Sequence, residues 1–322
     1  MGKIPVVAVV GPTASGKSTL GIELSKKLNG EVISADSMQI YKKISIATAK
    51  PAADEMQGVP HHLIGIIEPE ENFSVVQFCA LAEDCINQIT KRGKVPVIVG
   101  GTGLYVDALL NNIAFPDTKT DRLLRENLRL KAQQQGAKAL HDELMGVDFE
   151  TATSIHPNDT GRIIRALELY HTTGEKPSVH TRLSKLQSSP YMPVMIGLNF
   201  RNRALLYERI DRRVDEMVEK GLLEEASMFY KTYQSGTSQQ AIGYKEFFPY
   251  FEGEIKLADA LEKLKRETRR YAKRQLTWFR KNEKTRCLFA DDYLTQAELT
   301  AAALRMIDES NVLRGETEYE KE

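Results

Sequence analysis

Residues 4–10, Ile-Pro-Val-Val-Ala-Val-Val, are apolar and largely β-branched, and the residues beyond them change period. From 19 to 28 the apolar positions fall at Leu20, Leu24 and Leu28, the spacing of one helix face. A strand, a tight turn and a helix are therefore predicted at the start of the chain. Glu31-Val32-Ile33-Ser34 reads as a second strand, running into Ala35-Asp36-Ser37-Met38-Gln39-Ile40-Tyr41. Residues 73–92 carry Val75, Phe78, Ala82, Ile86 and Ile89 behind Ser74, which predicts a capped helix. Val95-Pro96-Val97-Ile98-Val99 is a third buried-strand pattern and ends in Gly100-Gly101-Thr102-Gly103-Leu104-Tyr105. After a long interval, residues 194–200 form a strand pattern, 203–220 a charged helix, and Cys287-Leu288-Phe289-Ala290 a last short strand. Strands alternating with helices predict an α/β fold, a parallel sheet flanked by helices.

Between 117 and 186 the strand pattern lapses. Helices are predicted over 122–135 and 138–145, broken at Gly136, and over 159–171, ended by Gly174. The chain thus divides into a core of 1–116 and 187–322 and a helical insertion of 117–186. Residues 42–69 are rich in Gly, Pro and polar side chains and read as a loop or lid rather than core. The charged end, 315–322, reads as disordered.

Composition narrows the function classes. With 42% hydrophobic residues in 322, a sizeable core is available. No stretch approaches the ~18 apolar residues of a membrane span, and the N-terminus enters a strand with no signal-like segment before it. A cytoplasmic protein is expected. Cys79, Cys85 and Cys287 have no metal-ligand spacing and are expected to be buried free thiols. The 44 basic and 44 acidic residues balance. Their placement does not: residues 261–286 hold eleven Lys or Arg against three Glu, a stripe suited to a polyanion.

The turn after the first strand is Gly11-Pro12-Thr13-Ala14-Ser15-Gly16-Lys17-Ser18, which fits G-x-x-x-x-G-K-[ST] at every fixed position. Its glycines let backbone N–H groups converge on an anion at a helix N-terminus, Lys17 adds a point charge, and the Ser18 hydroxyl can hold magnesium. This is a site for a di- or triphosphate. Asp36, at the end of the second strand, should face that loop; its other reading is a cap for the following turn. Thr102 follows a third strand end and is a candidate substrate contact. Among Arg209, Arg212 and Arg213 a phosphate clamp is expected. Arg162 and Arg165 lie on one helix side, either meeting phosphates or pairing with nearby carboxylates. His61 and His62 lack companion ligands and are assigned a packing or loop hydrogen-bond role rather than metal binding. From near Leu257 a basic helix is predicted, with Leu257, Leu261, Leu264 and Tyr271 inward and Arg266, Arg270, Lys273, Arg274 and Lys281 outward.

Taken in order, the phosphate loop, Asp36-Ser37-Met38-Gln39-Ile40-Tyr41, Thr48-Ala49-Lys50-Pro51, Pro60-His61-His62-Leu63, Gly100-Gly101-Thr102-Gly103-Leu104-Tyr105, His156-Pro157-Asn158-Asp159, Ala241-Ile242-Gly243-Tyr244-Lys245-Glu246 and Ala272-Lys273-Arg274-Gln275-Leu276-Thr277-Trp278-Phe279-Arg280 resemble the motif series of bacterial tRNA dimethylallyltransferases. The resemblance spans 4 to about 290. It implies a P-loop NTPase-like core and transfer of a dimethylallyl group from its diphosphate to N6 of the adenosine 3′ of the anticodon, with Mg2+ and release of pyrophosphate. It makes Asp36 the base for the amine proton, gives Thr13, Lys17 and Arg213 the diphosphate, and gives Ser18 the metal. It places Asp36, Ser37, Met38, Gln39, Thr102, Arg125, Gly161, Arg162, Ile163, Ile164, Arg165, Gln240, Ala241, Ile242, Gly243, Tyr244, Lys245 and 273–280 against tRNA, with the insertion serving that contact. The partners implied are the anticodon stem-loop and dimethylallyl diphosphate, with the enzyme a monomer. Ser18, Gly161 and Gln240 stand where many or some relatives have Thr, Gln and Arg. Two other classes share the phosphate loop: an ATP-dependent small-molecule kinase, and an RNA-binding module with a regulatory nucleotide site.

Overall fold

A computed structural model describes residues 2–115, 121–233 and 235–313. The predicted disordered end, 315–322, lies outside the described residues, as do residues 117–120 of the predicted insertion. Two compact units emerge: residues 1–110 with 190–322, and residues 111–189. The division falls a few residues outside the sequence-based limits, because the helix before the insertion ends at Leu110, the strand after it begins at Tyr191, and the segments between join the insertion.

The larger unit is built on β1 (Ile4–Val10), α1 (Lys17–Lys27), β2 (Gly30–Ser34), β3 (His61–His62), α2 (Val75–Lys91), β4 (Val95–Gly100) and α3 (Gly103–Leu110). The insertion carries α4 (Arg122–Gln135), α5 (Ala137–Val147), α6 (Phe149–Ser154), α7 (Thr160–Thr173) and α8 (Pro177–Leu186). The larger unit resumes with β5 (Tyr191–Asn199), α9 (Arg203–Glu219), α10 (Leu222–Thr232), α11 (Phe248–Phe251), α12 (Leu257–Arg280), β6 (Thr285–Phe289) and α13 (Gln296–Glu309). Its sheet is wholly parallel in the order β3-β2-β4-β1-β5-β6.

β1 is central, with Val10 opposite Gly100 on one side and Gly197 on the other. That position explains its composition. Val6, Val7, Ala8, Val9 and Val10 are all fully buried, because both faces of a parallel sheet are covered by helices. Their side chains alternate: Val6, Ala8 and Val10 share one core with Ile33, Phe78 and Ile86, whereas Val7 and Val9 share the other with Leu20, Leu24, Ala303 and Ile307. α2 starts where its cap predicts, with Ser74 and Gln77 forming a reciprocal capping box.

Three expectations change. Residues 42–69 do not stay outside the core: Ile44 and Leu63 are buried in it, and His61–His62 adds an edge strand to β2. A segment rich in turns can still place single apolar side chains inward. Cys287 is exposed on the edge strand β6, while Cys79 and Cys85 are half-buried. Finally α3, α6, α8, α10, α11 and α13 arise where no element was predicted. Several are too short for their period to register, and α13 lies between the last predicted strand and the charged end, a stretch for which no element was predicted.

The insertion has its own core of Leu128, Leu140, Leu144, Ile163 and Leu167. Asp121, Asp148 and Asp159 cap α4, α6 and α7, and Gly174 ends α7 with a left-handed φ of 74°. Buried Glu168 is held by Arg125 at 2.7 Å and Arg165 at 2.9 Å.

Candidate active site

The phosphate loop is shaped by its backbone. Gly16 has φ 92° and Ala14 φ 61°, so the chain curls before α1, and no side chain caps that helix. Its N-terminal amides open on a cavity of about 590 Å³ lined by Gly16, Lys17, Ser18 and Thr19. Six cations border this cavity, Lys17, Lys50, Arg209, Arg212, Arg213 and Lys220, against Glu55 and Glu216. The excess of positive charge suits a diphosphate. Two members of the predicted clamp reach the loop: Arg209 Nε donates to Ala14 O at 2.9 Å and Arg213 Nη1 to Thr13 Oγ1 at 3.3 Å. Arg212, also lining the cavity, pairs instead with Glu216 at 3.6 Å.

Burial lowers the Lys17 ammonium to about 8, with Asp36 opposing the shift and Arg213 adding to it. Burial likewise lowers Arg213, again against the pull of Asp36. An arriving anion would reverse both effects, because it supplies the countercharge that the protein withholds.

A second cavity, of about 350 Å³, adjoins the first through Ala49, Arg213 and Met217, which line both. Asp36, Thr13 and Arg213 stand at its polar end, and Met38, Ile210, Val214, Ile242 and Leu264 supply its apolar wall. Both readings of Asp36 hold. One carboxylate oxygen accepts from the Met38 N–H at 3.0 Å, capping the turn, and the side chain lines the cavity.

Neighbouring turns are locked to Asp36. Ser37 N–H donates to Thr102 Oγ1 at 3.0 Å, and a Cβ on Gly100 would lie 2.2 Å from Ala35 O, so only glycine lets the two strand ends meet. Thr102 is therefore a brace for the Asp36 turn. Behind the cavity, the Glu225 carboxylate accepts from the N–H groups of Ser45, Ile46 and Ala47 and from Tyr244 Oη at 2.7 Å. That anchors the wall carrying Ala47, Thr48 and Ala49.

The remaining candidates separate by depth. Ser37, Met38, Gln240, Ile242, Gly243, Lys245 and Arg274 line the smaller cavity. Ala241, Tyr244 and Phe279 are buried behind it. Gly11, Pro12 and Ser15 are buried at the base of the loop, and Gln39 bonds Ser34 Oγ at 3.0 Å. On α12, Lys273, Arg274, Thr277 and Arg280 are exposed, while the Trp278 ring covers Gly103 and donates to Asp107 at 2.6 Å. Leu276 packs with Ala14, Leu206 and Ile210. Part of the basic stripe is already neutralised: Lys265 meets Asp215, and Arg269 meets Asp211. Arg125, Gly161, Arg162, Ile163, Ile164 and Arg165 belong to the insertion, where Ile163 and Ile164 are core and Arg162 bonds Asp159 at 3.4 Å. His62 bonds Glu31 at 2.7 Å and His61 bonds Val59 O at 2.8 Å, so of the two roles expected for them it is hydrogen bonding that the structure displays.

Two site residues escaped the sequence reading. Tyr271, assigned to the core, lines the cavity against Thr102 and Gln275, and burial raises its phenol. Glu225 had no local signal, since the backbone N–H groups it accepts from lie some 180 positions away.

Comparison with known proteins converges. A family model for IPP transferase matches residues 39–282, and one for isopentenyl transferase matches residues 4–73. The chain is 50% identical over 301 residues to a tRNA dimethylallyltransferase of Caldanaerobacter subterraneus subsp. tengcongensis, covering 92% of this chain and 95% of that one. It is 50% identical over 279 residues to the tRNA dimethylallyltransferase of Bacillus subtilis (strain 168), covering 86% and 88%. Among solved structures, the tRNA isopentenylpyrophosphate transferase of Bacillus halodurans superposes with a TM-score of 0.71 at 45% identity, covering 97% of this chain and 99% of that chain. A eukaryotic dimethylallyltransferase acting on tRNA gives a TM-score of 0.80 at 32% identity, covering 96% and 79%.

Proposed function

The chain belongs to the IPP transferase family, and on that premise we propose that it is a tRNA dimethylallyltransferase. It transfers the dimethylallyl group of dimethylallyl diphosphate to N6 of the adenosine 3′ of the anticodon. The observation that carries this reading is the pair of adjoining cavities, one ringed by cations at the phosphate loop and one part-apolar with Asp36 at its polar end. A kinase also needs an acceptor site, but the apolar wall of this second cavity suits an allylic chain and an adenine ring rather than a small polar acceptor.

In this mechanism Lys17, Arg213 and the loop amides hold the diphosphate, and Thr13, oriented by Arg213, contributes its hydroxyl. The charge that grows on pyrophosphate as the allylic C–O bond breaks falls among groups already in place. Asp36 aims the adenine amine and takes its proton as the C–N bond forms. An adenine in a stacked anticodon loop must be flipped out to reach Asp36. The fit for magnesium is good: the exposed Ser18 hydroxyl sits beside Lys17 in the cationic cavity, and Ser18 and Asp36 border one recess with hard oxygen donors. Bound there by Ser18 and phosphate oxygens, the ion would share the leaving group's negative charge. The exposed cations of α12 and Arg162 of the insertion meet the tRNA backbone. The proposed enzyme is a cytoplasmic monomer, as the family resemblance implies. No helix among the described residues is long and apolar enough to cross a membrane.

The test is incubation with magnesium, labelled dimethylallyl diphosphate and unmodified tRNA, followed by digestion. Label on the adenosine beside the anticodon is expected. ATP hydrolysis without label transfer would overturn the proposal in favour of a kinase.

A further inference from the structure

We infer that Gln275 is a positioning residue that ties the RNA-facing helix α12 to the phosphate loop, so that the two substrate sites are coupled through one side chain; the inference rests on the function proposed above. Gln275 is 4% exposed and sits in a stripe otherwise made of Ala260, Leu264, Ala272 and Phe279. A polar residue there must be satisfied. Its Oε1 accepts from the Thr13 N–H at 2.9 Å, and its Nε2 donates to Gly101 O at 3.0 Å. Thr13 lies in the loop proposed to hold the diphosphate. Gly101 precedes Thr102, which braces the Asp36 turn. One amide therefore spans the donor side and the acceptor side of the site.

The bond polarity leaves little choice of residue. Thr13 offers a donor and Gly101 an acceptor, so the bridge needs one of each at this reach. Glutamate has the length but presents acceptors only, which sets an oxygen against Gly101 O. Methionine has the length and bonds neither. Gly101 is shaped for the contact as well: a Cβ there would fall 2.1 Å from Gln275 Nε2. On the opposite side of the same helical turns Lys273, Arg274 and Thr277 are exposed to a partner. A helix moves as a rigid element, so any shift of α12 as RNA seats on this face reaches the Thr13 amide through Gln275.

The experiment measures dimethylallyl diphosphate binding with and without an anticodon stem-loop RNA, in the full chain and in Gln275→Glu and Gln275→Met, beside kcat and both KM values. In the unaltered protein RNA should tighten donor binding by a factor in the general range of about 5–150, and in both variants the factor should fall to about 2 or less. kcat should fall with it, tRNA affinity measured without donor should hold, and the tightening of RNA binding by donor should shrink by the same factor. Gly101→Ala, which displaces the bridge from its other end and leaves α12 unchanged, should reproduce the loss and serves if a Gln275 variant does not fold. An undiminished factor in folded variants overturns the inference, as does a donor affinity that falls equally with and without RNA. No coupling in the unaltered protein overturns it too. Label transfer by the unaltered protein tests the function independently, so the two readings fail separately.

Discussion

β2 carries a cluster of ionisable side chains at each end, and the two are built on opposite rules. At its start, Glu31 is surrounded by His62 and Arg92 at 2.7 Å and Lys94 at 2.9 Å. Burial works to raise the Glu31 carboxyl, but these hydrogen bonds outweigh it and hold the group at about 2. Past its other end, Asp36 receives the Met38 N–H and, among the described residues, no other hydrogen bond, while Lys17, Arg209 and Arg213 crowd the adjoining loop. The first cluster is closed on itself. The second holds more positive charge than the protein answers, and that surplus marks a place for a ligand: a satisfied cluster stabilises, an unsatisfied one waits for its partner.

The largest expected effect falls on the open cluster. Asp36→Ala should lower single-turnover transfer by about 10²–10⁴, the range of a positioned general base, with both substrates still bound. Asp36→Asn should recover little, since an amide oxygen accepts the hydrogen bond but not the proton. Near-normal transfer by Asp36→Asn would mean that Asp36 only orients the amine. Next, Lys17→Ala should slow transfer by about 10²–10³ with tRNA affinity nearly unchanged. Because burial sets Lys17 near 8, it loses its charge above that pH in the free protein, so donor affinity should weaken as pH rises through about 8. Calorimetric titration with dimethylallyl diphosphate checks this, and Lys17→Arg should flatten the dependence.

The closed cluster should respond in stability alone. Glu31→Gln should cost about 1.5–3 kcal/mol in denaturant unfolding and leave transfer intact. The sign is definite: the folded Glu31 is depressed from 4.5 to about 2, so its stabilisation is complete above 4.5 and lost as pH falls toward 2. A loss of transfer matching the loss of stability would erase the contrast between the clusters. The smallest effect lies on α12. Lys273→Gln and Arg274→Gln should each flatten the slope of log tRNA affinity against log salt by about 0.7–0.9. Arg270→Gln should change it less, because Glu267 already holds that guanidinium at 2.6 Å.

The contrast also explains what the sequence could reveal. β1 was legible as an unbroken apolar run, because both its faces are buried, and α2 and α12 by their period, because burial on a definite face leaves its spacing in the residues. The phosphate loop was legible because its glycines and Lys17 are adjacent in the chain. β3 was not: two residues have no period. Neither was the bridge made by Gln275, whose partners Thr13 and Gly101 stand 262 and 174 positions away. What betrayed it was only a glutamine in an apolar stripe. The closed cluster was equally silent, for Glu31, His62, Arg92 and Lys94 come together through sheet pairing.

The central place of β1 has a consequence for synthesis. Its two neighbours reach the ribosome exit at very different times, β4 before the insertion and β5 after it. At roughly 5–20 residues per second, β1 holds one open, apolar edge for on the order of ten seconds while the insertion is made. An open strand edge pairs readily with other chains. An insertion that folds promptly about its own core of Leu140, Leu144, Ile163 and Leu167 keeps its hydrophobic surface away from that edge. Yield of the enzyme in the cell should thus depend on residues that never approach the phosphate loop in sequence, and slow folding there should appear as aggregation rather than as a change in rate.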